Sequence, residues 1–158
     1  MATTEGAAGP ETYEEGARLA LVCVDAPDCQ APVKTAVQEL AYTVQVASSA
    51  PDAIERIRKN AYEVIVLDEE FQGSTEHDNA VLTALHAMPM LTRRYIFVAL
   101  LGRRFGTLNN MMAFAKSVNL VVHVSDLSQL KAILARGVAE NDRFYRVYRE
   151  VLREAGKR

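Results

Sequence analysis

Apolar and polar positions along the chain fall into short runs of alternating type. Leu19-Ala20-Leu21-Val22-Cys23-Val24 is wholly apolar and ends on Asp25, as expected of a buried strand with an acid at its exit. Val33, Ala36, Val37, Leu40 and Ala41 then recur at helical spacing, with Asp28 placed as an N-cap and Pro32 in the first turn. Thr43 to Ala47 alternates and reads as an edge strand. Ser49 followed by Asp52 three residues later is a capping-box start for a helix burying Ala53, Ile54, Ile57 and Ala61. Val64-Ile65-Val66-Leu67, ending on Asp68, is the third strand and the most strongly β-branched.

Beyond it, residues 71–78 are polar and read as a loop. The spacing predicts a helix from Asn79 to about Met88, closed by Pro89. Tyr95 to Leu101 is a fourth apolar strand, residues 102–107 a loop, and Asn109 to Val118 a short methionine-rich helix. Leu120 to Val124 is the fifth strand, and Ser125 is placed to cap a last helix from Asp126 to about Glu154. Strand and helix thus alternate five times, with crossovers that require parallel pairing. Right-handed connections then favour a flavodoxin-like α/β/α sandwich with strand order 2-1-3-4-5. That order makes strands 1 and 3 neighbours and brings Asp25 and Asp68 to one end of the sheet, with Glu70 beside them.

Composition narrows the classes. The chain has 158 residues, 49% apolar and 24% charged, enough for one domain with a proper core. A net charge of −2 argues against a dedicated nucleic-acid binder. No apolar run reaches the ~18 residues of a membrane span. Residues 1–16 carry four glutamates and no periodicity, and read as a disordered tail. Cys23 and Cys29 form no metal-ligand pattern and read as buried thiols in a reducing cytoplasm.

Three motifs in this order resemble response-regulator receiver domains: Val24-Asp25 after the first strand, Ile65-Val66-Leu67-Asp68 after the third, and Asp126-Leu127-Ser128-Gln129-Leu130 opening the last helix. The similarity spans residues 18–140 and divides the chain into the tail, a receiver-like domain over 17–140, and an extension of the last helix over 141–158. It implies that Asp68 stands at the phospho-acceptor position and that Asp25 and Asp68 would supply oxygens to Mg²⁺. It also marks departures. The second acid of the first-strand pair falls on Ala26, no Ser or Thr lies between Val98 and Gly102, and the lysine position falls on His123. A neutral imidazole replaces a permanent ammonium poorly, its unperturbed pKa being near ~6.5. The resemblance therefore implies a degenerate, non-catalytic pseudo-receiver without a cofactor, which works by protein contact. The alternative is an atypical receiver phosphorylated on Asp68 with weakly held Mg²⁺.

Two stretches have the composition of a contact surface. Arg103, Phe105, Met111 and Met112 combine arginine, aromatic and methionine side chains near the fourth strand, whereas Phe114 reads as core. In the last helix the apolar stripe continues past the domain through Phe144, Val147, Tyr148, Val151 and Leu152, with Arg143, Arg146, Arg149 and Arg153 interleaved. A stripe that outlasts its own domain needs another surface, and a homodimer through this helix is the first expectation. Packing back on the body is the second, and nucleic-acid or membrane partners are not expected.

Overall fold

The computed structural model describes residues 17–75 and 77–156. Five parallel strands, β1 (Leu19–Cys23), β2 (Thr43–Val46), β3 (Val64–Asp68), β4 (Phe97–Gly102) and β5 (Leu120–His123), form one sheet in the order β2-β1-β3-β4-β5. All residues of β1, β3 and β4 are buried, which accounts for their unbroken apolar runs. Alternate side chains feed two cores. Leu21, Cys23, Ile65, Leu67, Val98, Leu100 and Val121 face one layer, and Ala20, Val22, Val64, Val66, Ala99, Leu101 and Val122 the other. The first is covered by α2 (Ala50–Lys59), α3 (Ala80–His86) and α5 (Asn110–Ala115) through Ala53, Ile57, Val81, Leu85 and Ala113. The second is covered by α1 (Pro27–Glu39) and α6 (Leu130–Glu154) through Val33, Val37, Leu130 and Leu134. A short α4 (Met90–Arg93) precedes β4.

Local differences from the sequence reading have identifiable causes. Helix α1 starts on Pro27, its N-cap is Ala26 with no side-chain bond, and Asp28 lies inside the first turn. Ala41 leaves the helix face at φ 71°, in the turn to β2. Ser49 does cap α2, accepting the Asp52 N–H at 3.1 Å, while Asp52 accepts the Ser48 N–H and the Arg56 Nε–H. On edge strand β2, Gln45 is buried because Arg56 and Tyr62 both donate to its side-chain oxygen. Phe71, expected in a polar loop, is fully buried in a single 3₁₀ turn. β4 begins at Phe97, since the turn α4 carries Tyr95 to the surface. Ser125 caps nothing: residues 124–129 form a 3₁₀ segment, and it is His123 whose Nδ1 accepts the Ser125 N–H at 3.0 Å. Both cysteines are free and buried, and among the described residues no helix is long and apolar enough to cross a membrane.

Two expected outcomes test this packing. At Gly102 an added Cβ would overlap the buried Phe105 ring. Gly102→Ala is therefore expected to destabilise by about 1–3 kcal/mol as over-packing, read from urea midpoints. The second concerns acid. Burial alone would raise the Asp52 carboxyl, but the Ser48 N–H and the Arg56 guanidinium outweigh it and hold it below the usual carboxylate range. A carboxyl depressed in the folded state contributes stability that is complete above its unfolded pKa and is lost as pH falls below about 4. Asp52→Asn should cost about 1 kcal/mol at pH 7 and flatten the loss of stability between pH 5 and 3. An unchanged acid limb in the variant would sink that assignment.

Candidate functional site

The carboxyl end of the sheet collects the acids, because β1 and β3 are parallel neighbours that both run toward it. Asp68 is the last residue of β3 and only 2% exposed. A buried carboxylate requires partners, and Asp68 has three donors. Its Oδ1 accepts the Glu70 N–H at 2.9 Å and Arg103 Nη1 at 3.1 Å, and its Oδ2 accepts Arg103 Nη2 at 3.4 Å. Arg103 directly follows β4 and thus reaches the neighbouring strand as a two-pronged fork. The same Nη1 lies 3.6 Å from Glu70 Oε1. The Asp68 hydrogen bond raises the Arg103 pKa above its ordinary value against the opposing effect of burial, and Glu70 adds to it. The Cys29 thiol nearby is pushed up by its burial first and by Asp28 next, against the lowering influence of Arg103.

Asp25 has a different task. Its Oδ2 accepts both the backbone N–H of Gln72, at 3.1 Å, and the Gln72 side-chain amide, at 3.0 Å. This pair of bonds holds Gln72 in the left-handed region at φ 58° and shapes the turn after β3. Ala26 uses its carbonyl to accept the N–H groups of Cys29 and Gln30 and has no side-chain oxygen to offer. His123 turns to Ser125, with Nδ1 also 2.8 Å from its hydroxyl, so the positive charge beside Asp68 comes from Arg103 and not from the histidine. Thr107, the hydroxyl residue of the loop between β4 and α5, accepts the His123 N–H at 2.9 Å and donates to Asp126. It fastens β5 and is bonded to neither Asp25 nor Asp68.

Mg²⁺ does not fit this donor set. With both oxygens of Asp68 engaged by a guanidinium and Asp25 bonded to Gln72, a hard cation finds no converging oxygens. Among the described residues no group of three His, Cys, Asp or Glu side chains is arranged to hold a metal ion.

Several contributors were not singled out from sequence. Asn79, buried at the N-cap of α3, donates to the carbonyls of Asp68 and Glu69 at 3.3 and 3.0 Å and accepts the Leu82 N–H. Glu69, also buried, lies 3.4 Å from Lys116 Nζ. An asparagine at a predicted helix start was a readable signal. The Glu69–Lys116 pair had none, because its two members stand far apart along the chain.

Of the expected contact residues, Arg103 belongs to the acid site, and Phe105 is core, packed under Gly102. Met111 is 77% exposed while Met112 packs partly against the core. Phe114, expected inside, is 82% exposed. Phe144, Val147 and Val151 are exposed along α6. Tyr148 partly turns to the body: the Arg94 guanidinium lies 5.3 Å from its ring centroid and 3.5 Å from its hydroxyl.

Removing the fork leaves an almost wholly buried carboxylate with only the Glu70 N–H. Arg103→Ala is expected to destabilise by about 3 kcal/mol, and Arg103→Lys by less, about 1–2 kcal/mol, since an ammonium keeps charge without the bidentate geometry. Urea titrations check both. An alanine variant within 0.5 kcal/mol of wild type, on the ~1 kcal/mol scale of an ordinary single substitution, would show that Asp68 does not depend on Arg103.

No protein-family model matches the chain, and no curated protein matches its sequence. Solved structures do match. A response regulator receiver domain protein (CheY-like) from Methanospirillum hungatei superposes with a TM-score of 0.62 at 11% identity, over 81% of this chain and 98% of that one. A response regulator from Hahella chejuensis gives 0.60 at 16%, over 79% and 98%. NtrX from Brucella abortus gives 0.64 at 18%, over 85% of this chain and 29% of that longer one. At such identities the likeness concerns the backbone: the chain has the fold of response-regulator receiver domains, with the order β2-β1-β3-β4-β5 and a long last helix.

Proposed function

We propose that this chain is a pseudo-receiver: a non-catalytic module of bacterial-type signal transduction, acting in the cytoplasm through protein–protein contacts. The observation that carries the reading is the Arg103 fork on Asp68. Phosphoryl transfer to a carboxylate needs an exposed attacking oxygen and a cation to offset the charge that develops on the transferring group. Here the carboxylate is buried and its charge is already offset by the chain's own guanidinium. Ala26 in place of an acid, the Thr107 hydroxyl bonded to β5 and His123 turned to Ser125 support the same reading. The working surface would be the exposed side chains Met111 and Phe114 on α5, with the outer stripe of α6, the latter joining two copies of the chain. Nucleic acid, membranes and cofactors have no part in it.

A second reading has one observation in its favour: Asp68 stands at the very end of a central strand, where a receiver carries its phospho-acceptor. Under that reading Arg103 would release Asp68, and Asp25 and Asp68 would be the residues to hold Mg²⁺, which would offset charge on the transferring group. Asp68 would be phosphorylated in a phosphorelay.

Intact-mass measurement separates the two. Incubated with Mg²⁺ and a small acyl phosphate, the chain is expected to keep its mass, as is Asp68→Asn. A Mg²⁺-dependent phosphoryl adduct on the wild type that disappears in Asp68→Asn would establish the second reading and end the first.

A further inference from the structure

The end of α6 carries two faces with different fates. Tyr145 and Tyr148 lie toward the body. Tyr145 lines a cleft of about 310 Å³ with Met88, Met90, Arg93 and Arg94, and Tyr148 meets Arg94. Tyr145 also meets both Phe144 and Tyr148 edge-on, with centroids 5.2 and 6.1 Å away. Beside that inner face runs a second one that none of the described residues covers. Phe144 (63% exposed), Val147 (53%) and Val151 (57%) recur at steps of three and four, the spacing of a helix–helix seam. Arg143 and Glu150, one heptad apart, flank this seam on the same side. Neither makes an ion pair among the described residues.

We infer that the seam of α6 pairs with the same seam of a second copy, in antiparallel orientation, about a twofold axis near Val147. The inference rests on the interaction-module reading and names its partner. Its orientation follows from charge. In the antiparallel pair Phe144 of one copy packs beside Val151 of the other, and Arg143 of each copy stands opposite Glu150 of the other, giving two identical ion pairs. A parallel pair brings Arg143 opposite Tyr148 and leaves both charges unanswered. Self-complementarity of one patch is what an isologous dimer requires. Three apolar side chains per copy supply less than the roughly 800 Å² per partner of a standard stable interface, so the dimer forms and dissociates with concentration.

Sedimentation velocity on the full chain, across low to high micromolar concentration, is expected to show a monomer–dimer equilibrium. Arg143→Glu and Glu150→Arg should each weaken association by about tenfold or more, by placing like charges opposite one another. The double reversal should restore it to within about threefold, because the pair is re-formed with its signs exchanged. These are exposed side chains, and unchanged thermal melting of each variant confirms that folding is intact. Oxidation of Val147→Cys should also yield a covalent dimer, since that residue faces its own copy near the axis, whereas Phe144→Cys should not. A chain monomeric at every concentration overturns the inference, as does a double reversal that fails to rescue, or a cross-link at position 144 in place of 147. The phosphodonor result is independent of all these outcomes, so the two readings fail separately.

Discussion

A carboxylate that is almost completely removed from water at the end of a strand must be answered by positive charge, and the source of that charge decides what the site can do. In this chain the source is covalent: Arg103 comes from the next strand over and grips both oxygens of Asp68. A metal ion can leave, exchange or accept a further ligand; a guanidinium tethered to the backbone stays with the chain and leaves the carboxylate only by a change of side-chain rotamer. The buried carboxylate thereby has its donors supplied by the chain itself, from Arg103 and the Glu70 N–H. The neighbouring polar groups follow suit. Asp25 holds the turn at Gln72, Asn79 holds the last carbonyl of β3 and the next one, and Thr107 holds β5.

The sheet could be read from the chain because strands buried on both faces have few acceptable sequences. Val64 to Leu67 and Leu19 to Cys23 have no plausible place except the middle of a parallel sheet, and right-handed crossovers then leave one compact order, the one observed. The same holds for the Ser49 cap, whose signal lies within three residues. What could not be read was everything decided by loops. Arg103 looked like a surface arginine because its partner is 35 positions away, and only the pairing of Asp68 with Leu101 across β3 and β4 places Gly102 and Arg103 beside it. Phe71 and Phe105 are aromatic residues in polar segments, and both turned inward to fill the core that α2, α3 and α5 cover. Phe114 went the other way: on a helix of six residues, Ala113 takes the inner position and the phenylalanine is left outside. Ser125 failed as a cap because His123, two residues before it, offered its backbone N–H a ring nitrogen.

The two halves of the chain's surface therefore differ in what they leave unfinished. At the sheet end the polar groups are matched internally. On α6 the inner aromatic face is matched by Arg93, Arg94 and the residues of the cleft, and the outer apolar face is left exposed by the described residues. Unburied apolar surface on a long helix is a standing free-energy cost in water, and α6 carries it along one face, as α5 does at Met111 and Phe114.

The short loop between β4 and α5 is held at both of its ends. Arg103 ties its start to β3, and Thr107 ties its finish to the backbone of β5 and to Asp126 beyond. Such a loop is a cross-member: it spans the rim of the sheet and links the ends of β3, β4 and β5 to the segment that enters α6. A continuous path of bonds thus runs from Asp68 through Arg103, the loop and Thr107 to Asp126, at the root of the helix whose far end carries the exposed seam.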